Sequence, residues 1–176
     1  MKAVMLSIKP KYCELIASGK KTIEVRKTKP KIETPFKCYI YQTKTVYISK
    51  NKTNEFLKPI QDKRFGKVIG EFNCNIIESG YLISPWSDFI QKKSCLTYAE
   101  INEYAGDKPL CSWHISDLVI YDEPKKLSEF NKIGALNYDE WLYGIYNGRD
   151  ENSYEKYLLP FKITRPPQSW CYVEEV

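Results

Sequence analysis

Val4, Leu6 and Ile8 alternate with Met5, Ser7 and Lys9, the period of a strand with one buried face. Pro10 follows and suits the first position of a helix, where its missing N–H costs nothing. Tyr12, Leu15 and Ile16 come next at i, i+3, i+4 spacing, which predicts a short helix with one apolar stripe. Gly19 can adopt the left-handed conformation that ends it. Alternation resumes in Thr22-Ile23-Glu24-Val25-Arg26, so the opening segment reads strand, short helix, strand.

Further along, Phe36–Thr43 carries the aromatic and β-branched residues of a strand. Lys67–Ser79 is long for one strand, and Gly70 within it predicts a bend or bulge. The polar, lysine-rich stretch Lys44–Phe65 between them reads as a loop or insertion. Thr97-Tyr98-Ala99-Glu100 is a capping box, with Leu96 and Ile101 placed to form its hydrophobic staple and Gly106 to end the helix. Leu110–Asp122 predicts another strand, and Tyr121-Asp122-Glu123-Pro124 its exit turn. Asn137-Tyr138-Asp139-Glu140 offers a helix start, with Trp141, Leu142 and Ile145 on one face. Pro160–Val176 reads as a final extended segment at an edge or turn, because Pro166 and Pro167 cannot donate to a ladder. The sum is a mixed α+β chain: one domain over residues 1–176, with insertions at about 44–65 and 131–159.

Composition narrows the class. At 43% hydrophobic and 28% charged residues over 176 positions, the chain is too apolar to stay disordered. No apolar run approaches the roughly 18 residues of a membrane span, and Met1–Pro10 lacks a signal-peptide core, so no membrane partner is expected. Six cysteines (Cys13, Cys38, Cys74, Cys95, Cys111, Cys171) are spaced too widely for any C-x-x-C pair, and several lie in apolar runs where a small hydrophobe fits. They point to a reduced, cytoplasmic protein. Cys111-Ser112-Trp113-His114 has the spacing of half a zinc site, but with one histidine in the chain and no second pair, neither a metal nor a cofactor is expected.

The formal charge of +5 conceals a division. Residues 1–67 hold 17 Lys or Arg against 5 Asp or Glu, or +12, and residues 68–176 hold 10 against 17, or −7. Such asymmetry points to a polyanion for the basic half, or equally to lysines that only solvate a surface.

Within the basic half, alternation places Thr22, Glu24 and Arg26 on one strand face and Ile23 and Val25 on the core side. Lys21 lies in the turn before them, and Lys9 ends the preceding strand. A guanidinium fork beside two ammonium groups suits a phosphate, while Glu24 can orient Arg26 or read a polar base edge. Spacing alone also allows an ordinary exposed ion pair.

Gly19-x-Lys21-x-x-Glu24-x-Arg26 resembles the G-x-K-x-x-E-x-R signature of ASCH domains, members of the PUA-like superfamily. The lead-in from Leu6-Ser7-Ile8-Lys9-Pro10 to Ile16 is similar too. So are Thr97–Glu100, Trp113–Leu118, Tyr121–Pro124 and Arg165–Trp170, which resemble the form found in phage and prophage genes. The resemblance implies a small PUA-like β-barrel with flanking and inserted helices, and a cleft that binds RNA or a modified nucleotide. It also implies an alternative at the same cleft: a ribonuclease, with Glu24 as general base and Lys21 or Arg26 stabilising the pentavalent phosphate, or an N4-acetylcytidine amidohydrolase. In the latter branch a lysine, a threonine and a glutamate act; the lysine falls on Lys21, but the threonine falls on Glu24 and the glutamate near Ser94, so two of three groups are replaced.

The candidate nucleic-acid-binding set is therefore Lys9, Lys21, Thr22, Glu24, Arg26 and Tyr41, with Lys21 and Glu24 as the candidate catalytic pair. Tyr41 enters as a base-stacking platform, on the Lys37/Tyr39/Tyr41 face opposite Phe36/Cys38/Ile40. Trp86, Trp113 and Trp170 are weighed beside it, and Trp113 reads as core. His114, the one histidine, reads as a strand residue with a structural hydrogen bond. The lysine run between Lys44 and Lys67 is a solvated loop that can guide a polyanion. The acidic second half is at most a second surface, for a protein partner.

Overall fold

In the computed structural model, residues 1–44, 62–83, 86–134, 139–142 and 154–176 are described. Strand β1 (Lys2–Ile8) leads through Lys9 into helix α1 (Pro10–Ala17), which has Pro10 in its first turn and Gly19 just beyond its end at φ +72°. Strands β2 (Ile23–Arg26), β3 (Phe36–Gln42) and β4 (Lys67–Gly80) follow. Helices α2 (Trp86–Ser94) and α3 (Tyr98–Ala105) precede β5 (Leu110–Lys126), and helix α4 (Tyr154–Leu158) precedes β6 (Trp170–Glu174). The six strands form one sheet in the order β2-β5-β4-β3-β1-β6. β1 and β3 are parallel, joined by the α1–β2 crossover, and the other four pairings are antiparallel.

The expected small β-barrel is met only roughly: among the described residues no ladder joins β2 to β6, the two ends of that order. β2 is only four residues long, and the chain leaves it into a segment containing Pro30 and Pro35, which have no N–H to donate. Polar side chains close the seam instead. Arg26 reaches across to the Ser7 carbonyl in β1 (2.8 Å) and to Ser169 just before β6 (3.2 Å). Trp170 Nε1 donates to Thr28 Oγ1 at 3.0 Å, and the Lys31 N–H donates to the Tyr172 hydroxyl at 2.6 Å. The sheet is thus curled like a barrel and stapled, not hydrogen-bonded shut.

Three apolar clusters hold it. Val4, Leu6, Ile8, Cys38, Ile40, Phe72 and Trp113 pack with Cys13 and Ile16 of α1 on one face. Ala3, Met5, Tyr39, Tyr41 and Val68 pack with Phe130, Ile163 and Val173 on the other. Ile23 and Val25 pack with Ile90 of α2 and Ile101 and Ala105 of α3. β1 is consequently buried on both faces, where alternation predicted one, because the stretch bearing Phe130 and Ile163 covers Ala3 and Met5. Tyr41 is corrected for the same reason: its face of β3 is an inner surface of the second cluster, and the ring is 4% exposed.

The bend at Gly70 is where the sequence placed it. The β4–β5 register shifts between Val68 and Gly70, and a Cβ on Gly70 would lie 2.3 Å from the Val119 carbonyl oxygen. The opposing shift absorbs Tyr121–Pro124 as a bulge, so β5 continues to Lys126 instead of ending in the expected exit turn. Thr97 and Glu100 form the capping box, with Glu100 N–H donating to Thr97 Oγ1 and Thr97 N–H to Glu100 Oε2. Helix α2 had no counterpart in the sequence reading. Residues 139–142 are helical and Trp141 is buried, in keeping with the helix start at Asn137–Glu140, whose remainder lies outside the described residues, as do residues 45–61 of the expected lysine-rich insertion.

Candidate functional site

The short β1–α1–β2 unit brings the signature together. Gly19 reverses the chain and the Lys21 N–H donates to the Leu15 carbonyl at 2.9 Å, folding the turn back under α1. Lys21 is 2% exposed, and its ammonium donates to the Ser94 carbonyl at the end of α2 (2.9 Å) and stands 5.3 Å from the Tyr12 ring centre. It also lies 3.2 Å from Glu24 Oε2. Glu24 Oε1 lies 3.0 Å from Arg26 Nη2, so one carboxylate bridges two cations. Glu24 and Arg26 are each 7% exposed, which excludes the ordinary surface ion pair that spacing allowed.

Burial follows from the curl. Ile23 and Val25 take the helix side, as alternation predicts, but the opposite face of β2 turns toward the enclosed side of the sheet. Glu24 pairs with Trp113 and Arg26 with Cys111 across the ladder, and both partners belong to the main core. Arg26 is held through both terminal nitrogens: Nη1 donates to the Ser169 carbonyl and hydroxyl, and Nη2 to the Ser7 carbonyl. Only its Nε is buried without a hydrogen-bond partner. Glu24 Oε2 is likewise buried and unpartnered, its contact with Lys21 being an ion pair without hydrogen-bond alignment.

These groups form one wall of a cleft of about 820 Å³. Lys9 and Tyr12 border it from α1 and its cap; Glu100, Glu103 and Tyr104 from α3; Gln168 and Ser169 from the approach to β6. Lys27 stands at the mouth, 5.0 Å from the Tyr104 ring centre. Charge in the cleft is mixed: Lys9, Lys21, Arg26 and Lys27 face Glu24, Glu100 and Glu103. Of the residues singled out from sequence, Lys9, Lys21, Glu24 and Arg26 meet in this cleft. Thr22 lies outside its lining, with its backbone tied to Lys93 and Ile115, and Tyr41 is in the second core cluster.

Sequence reasoning missed Tyr12 and Tyr104 as cleft walls and Ser169 as the anchor of Arg26. Tyr12 was visible only as a member of the α1 stripe. Trp113 is fully buried, edge-to-face with Phe36 at 5.7 Å, as expected. His114 Nε2 pairs with Glu78 Oε2 at 2.8 Å, also as expected. Cys13, Cys38, Cys74 and Cys111 are buried free thiols; burial pushes Cys74 up to about 12 and also raises Cys13 and Cys38, which suits packing and not nucleophilic use.

Comparison with solved structures finds the ASCH protein of Zymomonas mobilis. Its crystal structure aligns with TM-score 0.55 at 20% identity, covering 98% of this chain and 88% of that one. A serine-to-alanine mutant gives TM-score 0.59 at 19% identity, covering 98% and 89%, and a tyrosine-to-phenylalanine mutant gives 0.54 at 19%, covering 99% and 92%. At such identities the likeness carries the fold. No curated protein matches the chain. The ASCH domain model matches residues 6–163, the span that contains the end of β1, strands β2 to β5, the crossover and every charged group of the Lys21–Glu24–Arg26 bridge. The chain belongs to the ASCH domain family.

Proposed function

We propose that residues 1–176 act as one unit that binds RNA, or a modified nucleotide, with a base inserted into the cleft. The observation that carries this reading is the buried Lys21–Glu24 pair in the cleft lining, where an ammonium and a carboxylate oxygen without a hydrogen-bond partner stand 3.2 Å apart. A base edge offers an acceptor next to a donor, and answers such a pair directly. A phosphate does not, since the carboxylate repels it.

Roles within the site shift accordingly. Arg26 is committed to Glu24, Ser7 and Ser169, so it braces the carboxylate and the seam instead of gripping phosphate. Phosphate falls to the exposed Lys9 and Lys27 at the mouth. Tyr12 and Tyr104 flank the space and supply aromatic surface for the base. The family's association with RNA binding supports the same ligand class.

Charge asymmetry contributes less than its arithmetic suggested. Lys11 pairs with Glu100, Lys37 with Glu71 and Glu175, and Lys63 with Glu123, so first-half lysines meet second-half acids within the molecule. The hydrogen bond to Glu71 holds the Lys37 ammonium above its ordinary value. Partner-free acidic surface for a second protein is correspondingly smaller.

Catalysis at the same cleft is the second reading, because a buried carboxylate beside an ammonium can take a proton and steady a developing anion. Fluorescence anisotropy with a 12-nucleotide RNA tests binding: Lys21→Met should weaken it at least tenfold, and Lys132→Met at the exposed surface should not. Equal affinities would refute the cleft. Cleavage of RNA or deacetylation of acetylated cytidine that disappears in a folded Glu24→Gln variant would favour the enzyme.

A further inference from the structure

We propose that Lys29 and Lys31 continue the binding surface beyond the cleft, as a track for the sugar-phosphate backbone of the single strand whose base occupies it. This rests on the cleft reading, and extends it to a site on the segment that joins β2 to β3.

That segment leaves β2 at the mouth of the cleft, where Lys27 stands. Its residues then alternate in role. Thr28 accepts from Trp170 Nε1, Pro30 is buried, and Ile32 packs on the main core, so the even positions anchor the chain to the β6 edge. Lys27, Lys29 and Lys31 are all exposed. The Lys31 N–H to Tyr172 hydroxyl bond, at 2.6 Å, fixes the far end through backbone alone. The segment thus carries three exposed lysines at alternate positions of a stretch fastened through Thr28 and Lys31.

Two further features leave the charge of this row available to a partner. Neither Lys29 nor Lys31 makes an ion pair among the described residues, whereas Lys11, Lys37 and Lys63 are each met by a carboxylate. Glu33 is the one acid between Lys27 and Pro35. Alternate residues of an extended chain stand roughly 7 Å apart, a step that the phosphates of a stretched single strand can follow. The neighbouring Trp170 and Tyr172, edge-to-face at 5.4 Å and partly exposed, give the row an apolar floor.

The test compares a dinucleotide with a 12-nucleotide RNA, titrated across a salt series against wild type and a Lys29→Ala/Lys31→Ala double variant. Both side chains are exposed and the Lys31 backbone bond survives the change, so the fold should be retained, as circular dichroism verifies. The 12-mer should lose roughly tenfold in affinity, and its log K against log salt slope should become shallower by about 1.4, at about 0.7 for each lost phosphate contact. Dinucleotide binding should be unchanged. An unaltered slope for the 12-mer, or equal losses for both ligands, overturns the track. Failure of the cleft itself has a different signature: 12-mer binding insensitive to Lys21→Met.

Discussion

Replacing Glu24 by glutamine removes one charge from a buried bridge between two cations. Its oxygens stand 3.0 Å from Arg26 and 3.2 Å from Lys21. At an effective dielectric of 20 each contact is worth about 5 kcal/mol in Coulomb terms, before desolvation is subtracted. Arg26 keeps its bonds to Ser7 and Ser169, and Lys21 keeps Ser94, so part of the loss is cushioned. Breaking a buried pair from one side typically costs about 3–5 kcal/mol, because the remaining charge stays buried without its counterion. For a chain of this size that corresponds to a fall of roughly 6–20 °C in melting temperature. Urea unfolding followed by circular dichroism measures it. A second substitution separates stability from function: Lys21→Met added to Glu24→Gln removes the orphaned ammonium and should restore part of the loss, while leaving RNA binding absent. A Glu24→Gln destabilisation below about 1 kcal/mol would show that the bridge behaves as a solvated pair, and would refute the reasoning.

Three further outcomes are expected. Gly70→Ala should destabilise by about 2–3 kcal/mol in the same unfolding assay, since the new Cβ meets the Val119 carbonyl at 2.3 Å where neither backbone can retreat cheaply. Thr97→Ala should cost about 1 kcal/mol by removing the cap of α3, and Thr97→Ser should restore most of it in thermal melts. Hydrogen bonds from Arg64 hold the Asp62 carboxyl down to about 2 from 3.8, so its stabilisation is complete above pH 4, declines as pH falls, and vanishes below about 2. Acid titration of wild type against Asp62→Asn should show that difference, on the order of 2 kcal/mol at neutral pH, closing over this interval.

Local elements were legible where short-range chemistry decides them. Pro10 and Gly19 bracket α1, the Thr97–Glu100 box starts α3, and Gly70 marks the β4 bend because no larger residue fits beside Val119. The four charged groups of the cleft were also legible, being carried on one crossover within eighteen residues of chain. What alternation could not reveal was which faces meet another layer. Tyr41 looks outward on a strand diagram, but Phe130 and Ile163, far along the chain, cover its face. The same blindness made the Glu24 face look exposed, although the curl of the sheet buries it. Helix α2 escaped notice because only Ile90 anchors it strongly among polar neighbours. Arg26 appeared to be a phosphate ligand because its partners Ser7 and Ser169 lie 19 and 143 positions away, across a seam that exists only in three dimensions.

The central claim is that a base enters the cleft beside Lys21 and Glu24. The most direct measurement is photocrosslinking of a 4-thiouridine-substituted RNA, with the adducts located by peptide mass spectrometry. Adducts on the peptides bearing Tyr12 and Tyr104, lost in Lys21→Met, are the predicted result. Adducts confined to peptides outside the cleft, unchanged by that substitution, would contradict it.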